Sequence, residues 1–376
     1  MPFVSIGKIN TNLIPILVGC VFCFLNRLLN QYEGTLLFDN SILTNIFISI
    51  SKLFTIIPLV IVRIRSHRIK SEDVSRKSGN QIEYIYTETD LDIKQSKLKY
   101  IVLSSVIVFI QSIFFVLTFK VKSNCWILDI FITTLFYYLF FKIRLYKHHY
   151  FSGGLIILMG FIIDLILGNL QDDISKQFLL LIFRLIREIL YSFHDVIDKY
   201  IIEKKFGSIY EIALFTGIIN LILLGIFAVL DYNYFGMNDY ENYFNNFNTE
   251  ELLVIFGVMI TQLGLYLCLL MTNKNYTPCH IFIVFVFGQL AYYKNFKIPN
   301  SIIVIIFLIL ILFLSLMFNE IIEINFWGLS NNTKRKIIAR AEIEYSDVEK
   351  CDTLVDNYDS EKNENMIELK EEENDK

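Results

Sequence analysis

Gln177–Tyr200 reads QFLLLIFRLIREILYSFHDVIDKY. The stretch is long enough to cross a bilayer as a helix, which takes about 20 residues. It nevertheless carries Arg184, Arg187, Glu188, His194, Asp195 and Asp198. Wound at about 100° per residue, Arg184, Glu188, Tyr191, Asp195 and Asp198 fall on one stripe, with Arg187 and His194 at its edge. The opposite face holds Leu181, Ile182, Leu185, Ile186, Ile189, Leu190, Phe193, Val196 and Ile197. A helix that is charged along one side and apolar along the other, among plainly hydrophobic neighbours, should face a wet or protein-lined interior.

Composition sets the same environment. The 376 residues are 54% hydrophobic and 15% aromatic, and only 19% are charged, below the quarter or so usual in soluble domains. The net charge of −4 is uneven, because 14 of the 38 acidic residues follow Ala341. The basic residues sit in short segments between apolar runs, which gives no nucleic-acid footprint. The six cysteines have neither a CxxC pair nor His/Cys ligand spacing; Cys20 and Cys23, inside an apolar run, read as buried thiols. The first apolar run, Leu13–Leu29, has no small-x-small site after it and reads as a first span rather than a cleaved leader.

Ten candidate spans follow: 12–29, 41–62, 100–119, 126–143, 152–169, 177–199, 209–230, 251–272, 279–293 and 301–321. Without water to satisfy the backbone, each must be helical. With the N-terminus inside, the inner segments hold 21 Lys and Arg residues and the outer segments six. That excess predicts both termini in the cytoplasm. Residues 64–99 form a long inner loop, basic and then acidic, expected to be loose or held at the membrane surface. The outer loop 231–250 is rich in Asn, Tyr and Phe, and the tail from 329 is polar and acidic. Residues 1–170 and 171–328 then form two halves of five spans. An odd number per half inverts the second half relative to the first. The segments IFITTLFYYLFFKIRLYKHHYFSGGLIILMGFIID and CHIFIVFVFGQLAYYKNFKIPNSIIVIIFLILILFLSL echo this: each is a short aromatic span, a basic turn and a plain apolar span.

Three segments carry a family resemblance: Tyr146–Gly160 (YKHHYFSGGLIILMG), Asn275–Gln289 (NYTPCHIFIVFVFGQ) with Tyr276, Thr277 and Pro278, and Asp195–Lys205 (DVIDKYIIEKK). With the ten-span plan they resemble the drug/metabolite transporter superfamily, its EamA-like and nucleotide-sugar-transporter-like branches. The resemblance implies an all-α membrane protein of about ten transmembrane helices in two inverted five-helix repeats. The small-residue-rich spans of bacterial exporters and a substrate motif of the nucleotide-sugar branch are both missing, so the substrate stays open.

The charged residues divide by depth. Lys52, Arg184, Arg187, Glu188 and Tyr191 are the candidate substrate-binding set. A charge at the centre of a membrane helix costs about 2.5–3.5 kcal/mol on insertion scales, and a guanidinium suits an anionic solute. The plainer reading makes Arg184 and Glu188, four residues apart, a structural ion pair. Lys52 should meet Asp164, Glu188 or the substrate. His194, Asp195 and Asp198 read as a gate or proton relay, or as a solvated helix end with Lys199. Gln111, Gln262 and Gln289 read as interhelical glue, Pro58 as a helix loosener and Pro278 as the start of the ninth span.

Enzyme chemistry has no motif here: there is no phosphate loop, HExxH or nucleophile elbow. The adjacent His148 and His149 should point to different helix faces. The sequence therefore predicts a non-enzyme, without cofactor or metal, in an endomembrane (Golgi or ER) or the plasma membrane. Its expected partners are the lipid bilayer, a polar, anionic small-molecule substrate and a second copy in a homodimer, with no nucleic acid. A non-transporting scaffold acting through loop 64–99 and the tail is the competing class.

Overall fold

The structure, a computed structural model, describes residues 4–6, 13–29, 41–65, 89–118, 125–143, 145–166, 174–236, 240–245, 248–293, 301–324 and 333. These are almost entirely helical. The helices are α1 (Ile14–Leu29), α2 (Ser41–Leu53), α3 (56–65), α4 (Thr89–Thr118), α5 (Asp129–Phe141), α6 (Lys147–Ile166), α7 (Ile174–Lys204), α8 (Ile209–Leu230), α9 (Tyr240–Asn245), α10 (Thr249–Asn275), α11 (Ile281–Gln289) and α12 (Ser301–Phe318). Two short strands, β1 (Val4–Ile6) and β2 (Ile322–Ile324), pair antiparallel with Ser5 opposite Glu323.

Every expected span overlaps a helix. Among the described residues, six are long and apolar enough to cross a membrane: Ile42–Arg65, Lys97–Thr118, Lys147–Ile166, Ile209–Phe235, Thr249–Asn275 and Ser301–Phe318. Ile14–Leu29, Trp126–Phe141 and Pro278–Gln289 are apolar but shorter. α7 is long but too charged to join the six. The outward faces of the long helices carry Ile57, Ile61, Phe161, Leu165, Ile222, Ile226, Leu253, Phe256, Ile302 and Ile306, all exposed. An apolar belt of that extent would aggregate a water-soluble protein and suits a bilayer.

Helix ends follow local chemistry. Thr277 caps the turn that Pro278 opens, and α11 follows, as expected of a proline whose missing N–H is no loss there. α2 breaks at Phe54–Thr55, four residues before Pro58, whose ring cannot fit against the carbonyl of residue 54. α5, α7 and α12 are each closed by a side-chain-bearing residue at positive φ: Lys142, Phe206 and Glu320.

Part of the inner loop departs from expectation. Residues 89–99 belong to α4. Lys97 holds that extension to Glu211 at the start of α8 by a 2.6 Å ion pair. The remainder of the loop, 66–88, and the tail beyond 324, Thr333 apart, lie outside the described residues. In the outer loop, Tyr232, Tyr234, Phe235 and Phe244 are exposed whereas Tyr240 and Tyr243 are buried. The Tyr240 hydroxyl donates to Asp231 Oδ2 at 3.0 Å, and burial together with that carboxylate pushes the Tyr240 pKa up.

The most extensive helix pairs are α1 with α10 and α11, α7 with α4 and α5, α8 with α2 and α4, α2 with α10, and α6 with α12. Ile130, Ile156, Phe282, Val304 and Leu308 form a core between α5, α6, α11 and α12. Ile101, Ile197, Ile201, Ile212 and Leu270 form another between α4, α7, α8 and α10. Cys20 and Cys23 are buried free thiols between α1 and α11.

Candidate functional site

α7 is the long helix that Gln177–Tyr200 predicts, and its charged stripe divides into two groups. One turn of helix advances about 5.4 Å, so Arg187 and Asp198 sit about 16 Å apart along the axis at 1.5 Å per residue.

The group near the C-terminal end of α7 contains His194, Asp195 and Asp198, all buried. His194 lies between the two carboxylates, with Nδ1 3.6 Å from Asp195 Oδ1 and Nε2 3.3 Å from Asp198 Oδ2. Ser104 of α4 donates to Asp198 Oδ1 at 2.8 Å. Asn273 of α10 donates to the Asp195 carbonyl at 3.0 Å. Lys52 of α2 is buried, with Nζ 3.9 Å from the centroid of the Tyr266 ring of α10. The carboxylate whose charge it meets is Asp198. Asp164 and Glu188, the partners the sequence offered, are not the ones that face it. Lys52 reaches this depth because α2 and α8 cross closely: a Cβ on Gly217 would sit 2.8 Å from Lys52 Cβ and 3.0 Å from Ser49 O.

Asp198 is 1% exposed and Lys199 is 2% exposed, so this is not a solvated helix end. Lys199 donates to the Asn273 carbonyl at 2.5 Å, to the Tyr276 carbonyl, and pairs with Glu203. It thereby satisfies carbonyls left open where α10 stops. Tyr276, in the turn beyond α10, has its phenol pKa pushed up by burial.

The second group lies earlier on α7. Arg187 pairs with its neighbour Glu188 at 2.7 Å and donates to Thr118 Oγ1 of α4 at 3.3 Å. Its guanidinium also faces the Phe115 and Tyr191 rings. The sequence reading left Arg187 without a partner and gave Glu188 to Arg184. The adjacent pair wins because Arg187, at the stripe's edge, can fold back over the neighbouring carboxylate. Tyr191 is half-exposed. Between the groups, Asp129 of α5 is buried and accepts from Ser192 at 2.5 Å and Thr133 at 3.2 Å.

The structure thus sorts the predicted residues differently. Lys52 joins His194, Asp195 and Asp198, whereas Arg187, Glu188 and Tyr191 form a separate cluster. Sequence reasoning missed Ser104, Thr216, Asn220, Tyr266 and Asn273. They are uncharged polar residues scattered through apolar spans, a weak signal that only helix packing makes readable. The Tyr266 hydroxyl, on the ring that faces Lys52, interacts with Thr216 and Asp198, and on α8 the Asn220 amide oxygen is buried without a well-formed hydrogen bond.

Among the described residues, one group has metal-ligating composition: His148, His149 and Glu320. The two imidazoles do not diverge as adjacent helical residues should; their ring centroids are 3.9 Å apart. His149 is drawn back because its Nδ1 accepts the Tyr146 N–H at 3.2 Å in the first turn of α6.

No protein-family model matches this chain, and no curated protein sequence matches it.

Proposed function

We propose that this protein is a secondary transporter that moves a polar, anionic organic metabolite across a membrane by alternating access. The observation that carries the reading is the buried network of Lys52, His194, Asp195 and Asp198, shared by helices of a bundle with a lipid-compatible exterior. Burying several ionisable groups in such a setting is costly, and membrane proteins keep them where a solute or ion passes. The open amide oxygen of buried Asn220 fits a site completed by ligand or water, because buried polar groups otherwise find partners.

Two further features support ten spans in two inverted repeats. Pairing of β1 with β2 supports both ends of the helical region lying on one side, and with it an even number of crossings between Ile6 and Ile322. Counting α2–α3 as one span and omitting α9 gives ten. Replacing each span by the one five places on turns the α1–α10 pair into α7–α4, α1–α11 into α7–α5 and α2–α10 into α8–α4. The α2–α8 and α6–α12 pairs map onto themselves. These pairings fit a twofold related pair of five-helix units, although α11–α12 and α7–α10 have no comparable α5–α6 and α1–α4 counterparts among the described residues. The excess of inner Lys and Arg favours both termini in the cytoplasm, in an endomembrane or the plasma membrane.

The test is uptake by proteoliposomes offered labelled nucleotide sugars, sugar phosphates and dicarboxylates. Replacing Lys52 and Arg187 by Ala together should lower uptake of the accepted solute more than tenfold. Unchanged uptake by the double variant would sink the reading.

A further inference from the structure

Away from the buried network, the start of α6 meets the end of α12, and the two helices pack along their length. α12 closes with Glu320 N–H bonded to Met317 O at 3.1 Å and Ile321 N–H to Leu316 O at 2.9 Å. This helix stop puts its central residue in the left-handed region and is usually occupied by glycine. Here that residue is Glu320, at φ +59°. The backbone tolerates an unfavoured side chain, and the side chain is a carboxylate whose Oε1 lies 3.1 Å from His148 Nε2.

His148 is 2% exposed, and neither ring nitrogen makes a well-formed hydrogen bond. Its Nε2 has Glu320 Oε1 as a neighbour, and its Nδ1 is a buried polar atom left open, which is rare. His149 lies against it, and one ligand atom from each of His148, His149 and Glu320 falls within 4.8 Å of the others. Four-coordinate zinc, bound at about 2.0–2.2 Å by His nitrogen and carboxylate oxygen, holds such atoms about 3.3 Å apart by that geometry. The His148–Glu320 separation already fits, and the His149 ligand atom lies within 4.8 Å of both.

We propose that His148, His149 and Glu320 bind a divalent transition-metal ion, with Zn²⁺ the cation these donors favour. Two imidazoles and one carboxylate suit zinc, whereas Mg²⁺ and Ca²⁺ require oxygen shells. A metal-bound imidazole carries its proton on the other nitrogen. Loading therefore makes His149 give up the Tyr146 N–H, so the metal competes with a local backbone contact. The bound ion clasps the first turn of α6 to the residue that ends α12. The site stands on its own geometry, whatever the protein transports.

The test uses the full chain, purified in detergent without a polyhistidine tag and stripped with a chelator. Zn²⁺ competition against a chromogenic chelator should show one site per chain. Combined His148→Asn, His149→Gln and Glu320→Gln substitutions should weaken it at least 100-fold, while His194→Asn should not. The wild-type protein should also give Co²⁺ the intense visible absorption of four-coordination, a readout independent of whether the variants fold. Zn²⁺ affinity equal in wild type and triple variant, or a Co²⁺ spectrum of the six-coordinate aqua ion, would overturn the proposal.

Discussion

At the scale of single residues, Lys52 and Asp198 separate stability from function. Both are buried and lie within each other's electrostatic reach, and a buried charge left uncompensated is costly. Asp198→Asn should therefore lower the unfolding temperature in detergent markedly. Adding Lys52→Met to Asp198→Asn should restore much of that loss while uptake stays abolished. Restored uptake in the double variant would mean that the charges only hold the fold. Gly217→Val offers a packing test, since its Cβ would meet Lys52 and Ser49 inside normal contact distance. Overpacking of this kind costs about 1–3 kcal/mol, measurable by thermal unfolding. Gly225→Ala, where nothing lies within 4 Å of the added carbon, should be neutral. The sequence located these charged residues but not their pairing. The α2–α8 crossing at Gly217 sets the depth of Lys52, while Asp198 is carried in by α7, and periodicity along one helix does not encode such packing between helices. Adjacent Arg187 and Glu188 escaped for the opposite reason: the i,i+4 rule drew attention to Arg184, while a long side chain at the edge of the stripe reached its neighbour.

At the scale of elements, the helices were legible because an apolar run in lipid has one backbone solution. The pairing of these helices was not, because Ile, Leu and Phe side chains match one another too readily to specify neighbours. The joints between helix ends are specific polar contacts instead: Lys97 to Glu211, Lys199 to the carbonyls of Asn273 and Tyr276, and Asn319 to the Cys279 carbonyl. Each ties ends that share one side under an alternating, antiparallel threading. That threading predicts opposite fates for two glycosylation acceptors. A site engineered between residues 231 and 250 should be modified in a eukaryotic secretory membrane, and Asn331-Asn332-Thr333 should not, as an endoglycosidase-sensitive mass shift reports. The reverse pattern would invert the orientation, and modification of both would contradict the three crossings, α10, α11 and α12, expected between them.

At the scale of the whole molecule, the transporter and scaffold readings differ in where function resides. A chain ending at Thr333 lacks the basic cluster and acidic tail. It should retain at least half of wild-type uptake per molecule in proteoliposomes; a scaffold would lose its function with the tail. Alternating access makes the sharper demand that the buried network meet water from each side in turn. Ser104 touches Asp198, so Ser104→Cys, in a background with Cys20, Cys23, Cys125, Cys268, Cys279 and Cys351 replaced, reports on that depth. A membrane-impermeant, anionic methanethiosulfonate should modify it in sealed vesicles of either orientation, and the transported solute should slow the reaction. A cysteine that stays unreactive from both sides, in protein shown to be folded, would make the network a sealed structural ion cluster and contradict the transport reading.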